Sequence, residues 1–248
     1  MACRFLDSVQ HYQTAHLAEK YNTVGANVIV HPTNGYSSNQ CLQSSNGGAG
    51  NSLIRTLDEQ TTWVIGFRFF TGTLPGGGAD FLNFNHSAGA ADQCSYSLNP
   101  GGTISAYRGD WDFGGVLLGT SAIVSLQNNT WYYLEFKAVI DDANGIMKVT
   151  INGTTVLNLT GQDTKASNPL TGADNIRLSI GSTGGTARIQ DIHIFDGTGG
   201  VNDDMIGEYS VECLFPKDVG NSSAWTPSGG AVDNYTMVQE KTILYPDD

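Results

Sequence analysis

Asp191 and His193 stand two residues apart in the sequence IQDIHIF and place a carboxylate near an imidazole. A carboxylate that orients a histidine forms half of a general acid–base site. A hydrolase of this kind also needs a nucleophile, and the chain contains no Gly-x-Ser-x-Gly elbow to supply one. We therefore interpret the pair as structural or interface residues.

Two glutamates suggest a second chemistry, because the hydrolysis of a glycosidic bond uses a pair of carboxylates. Glu208 and Glu212 fall on one face of the strand predicted over residues 207–215. Four residues of strand separate them by about 13 Å, which is too far for a retaining pair and long for an inverting pair. Carboxylates that meet from different strands remain the alternative. We assign no catalytic residue and expect a protein that is not an enzyme.

The segment GDWDFGG, residues 109–115, predicts an exposed loop that carries two aromatic rings. Trp111 and Phe113 could contact a glycan or a neighbouring protein, since aromatic side chains are enriched at interface hot spots. The alternative is that both rings fold back over the edge of the sheet.

Acidic turns supply oxygen atoms of the kind that calcium prefers. The candidates are Asp110 with Asp112, Asp141 with Asp142 and Asn144, and Asp203 with Asp204. Each group is also the ordinary chemistry of a turn. We expect no cofactor and assign no metal ligand, with calcium as the open alternative.

Residues 131–161 predict three consecutive antiparallel strands. Apolar side chains alternate along residues 131–140, so one face of that strand should contact a core. Asp and Asn residues precede Gly145 in a turn, and Asn152-Gly153 is the pair that a two-residue type I′ hairpin favours. This unit indicates a β-sheet protein.

The composition agrees with an all-β fold. Hydrophobic residues make up 40% of the 248 residues, charged residues 15%, and there are 31 Gly. Many strands joined by Gly- and Asn-rich turns have this composition. A short helix is expected only within residues 1–22. Further strands are predicted over residues 24–31, 61–71, 81–86, 93–98, 103–108, 116–126, 176–181 and 187–195. We predict one β-sandwich domain over residues 1–196.

Charge excludes several partners. The formal net charge of −12 repels nucleic-acid phosphates and anionic membrane surfaces, so we expect neither as a partner. The N-terminal residues contain no apolar run of signal-peptide or membrane-span length. We expect the protein to be made in a cytoplasm.

The composition changes after Asp196. Residues 197–248 are rich in Gly, Ser, Pro and Asn and could not complete a core of their own. We interpret them as a docking arm that packs either on the sandwich or on a neighbour. Its candidate contact residues are Val211, Leu214, Phe215 and Trp225.

Two resemblances follow from these segments. The sequence WYYLEF at residues 131–136, the hairpin of residues 148–159 and IQDIHIFD at residues 189–196 resemble the closing strands of concanavalin A-like or laminin-G-like jelly rolls. The likeness covers about residues 5–195. The segments GTGGVNDDMIG at residues 197–207, VECLFP at 211–216 and WTPS at 225–228 resemble the C-terminal portion of a group of tailed-bacteriophage virion proteins.

The second resemblance implies a structural protein of a bacteriophage particle. It would be a capsid-decoration, tail or fibre-associated component, a homo-oligomer in contact with other virion proteins, made in the cytoplasm of a host bacterium. The fold resemblance implies the alternative, a carbohydrate-binding adhesin that recognises glycans on the host surface. A jelly roll alone does not decide between these functions.

Overall fold

The computed structural model describes residues 2–44, 51–88, 91–122, 126–166, 170–180, 185–199 and 204–212. Its strands are β1 Cys3–Asp7, β2 Thr23–Val24, β3 Val28–His31, β4 Cys41–Ser44, β5 Ser52–Gln60, β6 Thr62–Thr71, β7 Ala79–His86, β8 Ala91–Leu98, β9 Ile104–Arg108, β10 Val116–Thr120, β11 Thr130–Val139, β12 Gly145–Ile151, β13 Thr154–Gln162, β14 Ala173–Ser179 and β15 Arg188–Asp196.

The strands form two antiparallel sheets. The first sheet has the order β13-β12-β11-β6-β15-β4-β3, and β1 also pairs with β15. The second sheet has the order β10-β9-β8-β7-β14-β5-β2. Two sheets that bury their facing sides against each other make a β-sandwich, which confirms the predicted all-β fold class.

Aromatic side chains from both sheets fill the space between them. Phe136 of the first sheet lies with its ring centroid 5.0 Å from that of Tyr96 in the second. Phe69 and Phe81 make a similar contact across the sheets at 4.8 Å. Burial of such rings contributes both apolar area and favourable ring geometry, so these residues form the centre of the core.

The unit predicted over residues 131–161 is confirmed. β11 pairs with β12 and β12 with β13, all antiparallel. Leu134 and Phe136 point into the core, as the alternation predicted. Asn152 has φ 48 and Gly153 has φ 77, which are the positive values of a type I′ turn.

Helical structure among the described residues is short. It comprises α1 (Leu17–Lys20) and two 3₁₀ turns, Thr14–His16 and Tyr36–Ser38. The short helix expected within residues 1–22 is therefore present, beside a strand, β1, that was not predicted. Over the described part of the chain, no helix has the length and apolar character needed to cross a membrane.

Two further differences concern polar strands. Nothing in the sequence predicted β5, whose side chains are mostly polar and only partly buried. The strand predicted over residues 207–215 is wrong for residues 207–212, which form no strand. Its last three residues lie outside the described residues.

Candidate functional site

A cleft of about 680 Å³ opens on the outer face of the second sheet. Loop 109–115 forms one of its walls, and the ends of β7, β8 and β14 form the floor. Its polar and aromatic lining comprises Asn85, Asp92, Arg108, Asp110, Phe113 and Arg177.

Strand register turns these polar side chains away from the core. Leu82 and Phe84 of β7 pair with core residues of β14 and are themselves in the core. Because side chains alternate along a strand, Asn83 and Asn85 point to the opposite face. Arg177 pairs directly with Asn83 and shares that outer face.

Asp92 is the most buried charged group of the cleft. The carboxylate is 6% exposed and accepts hydrogen bonds from the side-chain amides of Asn83 at 2.7 Å and Asn85 at 3.1 Å. Burial raises the pKa of Asp92 to about 6, and the neighbouring Asp110 adds to that rise, while the two amides lower it. Its position in the fold therefore makes the ionised form of Asp92 less favourable than it is in water.

Both arginines of the cleft already have carboxylate partners. Arg177 Nη2 lies 2.9 Å from Asp80 Oδ2, and Arg108 is paired with Asp163. Burial raises the pKa of Asp80, which the charge of Arg177 opposes and the charge of Asp110 reinforces. The guanidinium groups consequently have less charge available for a ligand than their number suggests.

Loop 109–115 separates the two aromatic rings that the sequence singled out. Gly109 has φ 78 and Gly114 has φ 85, values that favour glycine, and they turn the chain at both ends of the loop. Trp111 is half-buried, and a Cβ on Gly78 would lie 2.9 Å from its ring. Phe113 is 85% exposed beside the cleft. One ring thus folds back and the other faces solvent.

The acidic turns are occupied by the protein itself. Asp110 Oδ1 accepts a hydrogen bond from the Asp112 amide at 2.9 Å. Asp141 Oδ1 accepts from the amides of Ala143 and Asn144 at 2.8 and 2.7 Å, bonds that lower the pKa of its carboxyl group. Over the described ranges, no three His, Cys, Asp or Glu side chains are grouped to hold a metal ion. Asp203, another calcium candidate, lies outside those ranges.

A second polar cluster is buried on the outer face of the first sheet. Asp191, with φ 55, sits where the register of β15 against β6 shifts, and its Oδ2 accepts a hydrogen bond from Arg68 at 3.0 Å. His193 Nε2 instead faces Glu135 Oε1 at 3.8 Å. Asp191 and His193 therefore contact different partners. The spacing of two residues does place both on the outer face, since Ile192 between them is in the core, but Arg68 and Glu135 are the charged groups that they contact there.

Residues 204–212, here called the strap, cover this cluster. Glu135 is fully buried and accepts hydrogen bonds from the Ile206 and Gly207 amides at 2.7 and 3.1 Å. Glu208 Oε1 lies 2.8 Å from Arg68 Nη1, so this glutamate is an ion-pair partner. The described beginning of the C-terminal extension thus packs on the sandwich itself.

The predicted arm contacts are only partly within the structure. Val211 is 8% exposed, at the end of the strap. Leu214, Phe215 and Trp225 lie outside the described residues. Glu212 is exposed.

Most residues of the cleft have no local signal in the sequence. Asn85, Asp92 and Arg177 belong to three different strands and converge only through the order β8-β7-β14. A partial signal was present in the sequence FLNFNH, where Asn83 and Asn85 alternate with apolar residues and so predict a polar outer face.

No protein-family model matches the sequence, and no curated protein matches it either. Solved structures with a similar fold include the binding domain of Paraclostridial Mosquitocidal Protein 1, at 15% identity over 71% of this chain and 44% of that chain, with a TM-score of 0.48. The binding domain of Botulinum neurotoxin serotype D matches at 15% identity over 73% of this chain and 43% of that chain, with a TM-score of 0.48. Trypanosoma rangeli sialidase matches at 13% identity over 68% of this chain and 27% of that chain, with a TM-score of 0.45. The chain therefore spans less than half the length of each of these structures.

Proposed function

We propose that the protein is a non-enzymatic carbohydrate-binding module whose ligand occupies the cleft of the second sheet. One observation carries the proposal: an exposed aromatic ring, Phe113, stands beside a concave group of buried and half-buried polar side chains. Binding sites for small ligands commonly combine a concave surface with a few convergent polar groups.

The polar groups suit the hydroxyls of a sugar. Each hydroxyl donates one hydrogen bond and accepts others, so it needs both kinds of partner. Ionised Asp92 accepts, while the guanidinium groups of Arg108 and Arg177 donate. Phe113 offers a flat apolar face against which the C–H face of a pyranose can pack. In this role the protein would act as an adhesin for glycans on a cell surface.

Glycan-array screening followed by calorimetric titration tests the proposal. We expect the full chain to bind at least one oligosaccharide, and Phe113→Ala to weaken that binding about tenfold, because the exposed ring is lost. Leu6→Ala is the matched control, since Leu6 is 41% exposed on the other sheet. Silence of the wild-type protein on the array at high concentration would overturn the proposal.

We propose, as a second candidate, a structural protein of a tailed-bacteriophage particle, located in the virion and assembled there in many copies. One support is the sequence likeness over residues 197–228. The other is the strap, which holds the start of the extension on the sandwich. The apolar residues Leu214, Phe215 and Trp225 come after the strap in the sequence. Each such side chain contributes about 1.5 to 3 kcal/mol when it is fully buried against a partner. A virion component can also bind sugars, so the two candidates are compatible.

Light scattering tests whether the C-terminal extension mediates self-assembly. We compare the full chain with a chain that ends at Glu212 and keeps the strap. An assembly arm predicts an oligomeric full chain and a monomeric shorter chain. Two monomers of equal hydrodynamic behaviour would count against self-assembly through residues 213–248.

A further inference from the structure

The charges on and beside the cleft do not balance. Two guanidinium groups face four carboxylates, which leaves a formal charge of −2 when all are ionised; the carboxylates are Asp80, Asp92, Asp110 and Asp163. The whole chain adds a field of the same sign, with a net charge of −12. An anionic ligand would therefore meet repulsion both at a distance and on contact.

The imbalance is concentrated at one position. Arg177 is paired with Asp80 at 2.9 Å and Arg108 with Asp163, whereas Asp92 has amide partners and Asp110 has a backbone amide partner. Asp92 and Asp110 both line the cleft, on β8 and on the loop beyond β9. The carboxylates of Asp92 and Asp110 repel each other when both are ionised. A proton, a metal ion or a cationic group on the ligand relieves that repulsion.

Phe113 adds a second feature that favours a cation. Its ring is 85% exposed at the mouth of the same cleft. The face of an aromatic ring attracts an ammonium group through its quadrupole, and it also packs against the C–H face of a sugar. Carboxylates and an aromatic face together are suited to an amine that is attached to a polyhydroxyl ring.

From this arrangement we infer that the cleft selects amine-bearing sugars, such as 2-amino-2-deoxyhexoses without an N-acetyl group, over acidic sugars. The inference rests on the proposed carbohydrate-binding function and narrows its ligand class. The ammonium group contacts Asp92 and Asp110, and the ring hydroxyls contact the amide of Asn85 and the guanidinium of Arg177. No bond is made or broken.

Calorimetric titration with three oligosaccharides of equal length tests the inference at near-neutral pH. They are a fully deacetylated chitosan oligomer, its fully N-acetylated counterpart and an oligogalacturonate. We expect the amine form to bind about tenfold more tightly than the N-acetylated form, as for one charge-assisted contact, and the acidic oligomer to bind most weakly.

Isosteric variants locate the effect. Asp92→Asn and Asp110→Asn should each remove most of the amine preference while binding of the N-acetylated oligomer persists. Asp58→Asn is the matched control, because it changes the net charge equally at a carboxylate that is 84% exposed on β5, away from the cleft. A control variant that loses the preference as strongly would show a general charge effect and would overturn the assignment.

The results of these titrations test the preference for amines separately from carbohydrate binding itself. Equal binding of the amine and N-acetylated forms would refute the amine preference and leave carbohydrate binding intact. Tighter binding of the oligogalacturonate would also refute it, because the cleft would then prefer a negative charge to a positive one. Failure of the protein to bind any sugar, in this titration and on the array, would refute both.

Discussion

Asp92, at the scale of single residues, is a cleft residue whose ionised carboxylate lowers the stability of the folded chain. Its pKa is raised by burial to about 6, above the ordinary value of an aspartic acid. The folded chain therefore holds the proton of the Asp92 carboxyl group more tightly than the unfolded chain does. As the pH rises from about 4 to 6 and this proton is lost, the free energy of unfolding falls. Asp92→Asn removes the ionisation. The free energy of unfolding of the variant, relative to wild type, should rise across this window by up to about 3 kcal/mol.

Asp196 provides the comparison with the opposite sign. Burial raises the pKa of this carboxyl group, but hydrogen bonds from Thr198, from the Ala2 amide and from Arg4 outweigh it and lower the pKa to about 2. Its contribution is present above about pH 4 and disappears as the pH falls towards 2. Asp196→Asn should cost about 2 kcal/mol at neutral pH and progressively less in acid. Urea unfolding of both variants over a pH series checks both slopes, and two flat differences would contradict the assignments.

These residues also show what a sequence can predict about a site. Trp111 and Phe113 were recognised because they interrupt a glycine-rich loop, but their type did not reveal that one ring packs at Gly78 and the other faces solvent. Asp191 and His193 were recognised by spacing, which places both on one face but does not reveal their partners, Arg68 and Glu135, on neighbouring strands. Local patterns identify side chains with useful chemistry. The direction of each side chain depends on bulges and register, which are decided by pairing with distant strands.

At the scale of elements, β11 contains both the clearest sequence signal and an unpredicted feature. Its apolar face was predicted to be in the core and is there. Its other face carries Tyr133 and Glu135, which are buried as well, under the strap. Alternation along one strand distinguishes its two faces but does not show that a segment some 70 residues later covers the polar one.

The strap should depend on Glu135. This carboxylate accepts two strap amides, from Ile206 and Gly207, and a glutamine at this position has only one side-chain acceptor. Glu135→Gln should therefore favour opening of the strap by about 1.5 to 3 kcal/mol, the range for a hydrogen bond to a charged group. Hydrogen exchange of the peptide that contains residues 204–212 measures this as faster exchange.

Asp204→Asn is the control for the strap. Asp204 pairs with Lys137 and Lys148 at 3.4 Å each, but its side chain is 61% exposed, and exposed ion pairs contribute little. Its effect on exchange should be clearly smaller than that of Glu135→Gln. Equal acceleration in the two variants would mean that surface charge, rather than the buried acceptor, holds the strap.

At the scale of the whole molecule, composition and turn chemistry were sufficient for the fold class. The glycine content, the Asn152-Gly153 hairpin and the strongly alternating strands all indicate a sandwich, and the two observed sheets agree. β1 and β5 escaped prediction since their stability comes from pairing with β15 and β14 rather than from a local apolar pattern. Tertiary pairing commonly overrides weak strand propensity in this way.

The boundary proposed at residue 196 leads to a prediction about two truncations. A chain that ends at Gly197 lacks the strap, so Arg68 loses its ion pair with Glu208 and Glu135 loses both amide donors. Solvent then hydrates these groups and offsets part of the loss, so we expect this chain to fold with a free energy of unfolding about 1 to 3 kcal/mol below that of a chain ending at Glu212. Urea unfolding of the two chains side by side provides the measurement. Equal stabilities would show that the sandwich is complete without the strap and that the strap adds no stability to it. A chain ending at Gly197 that cannot fold would place the true domain boundary beyond the strap, because the sheet face that carries Glu135 would then require it.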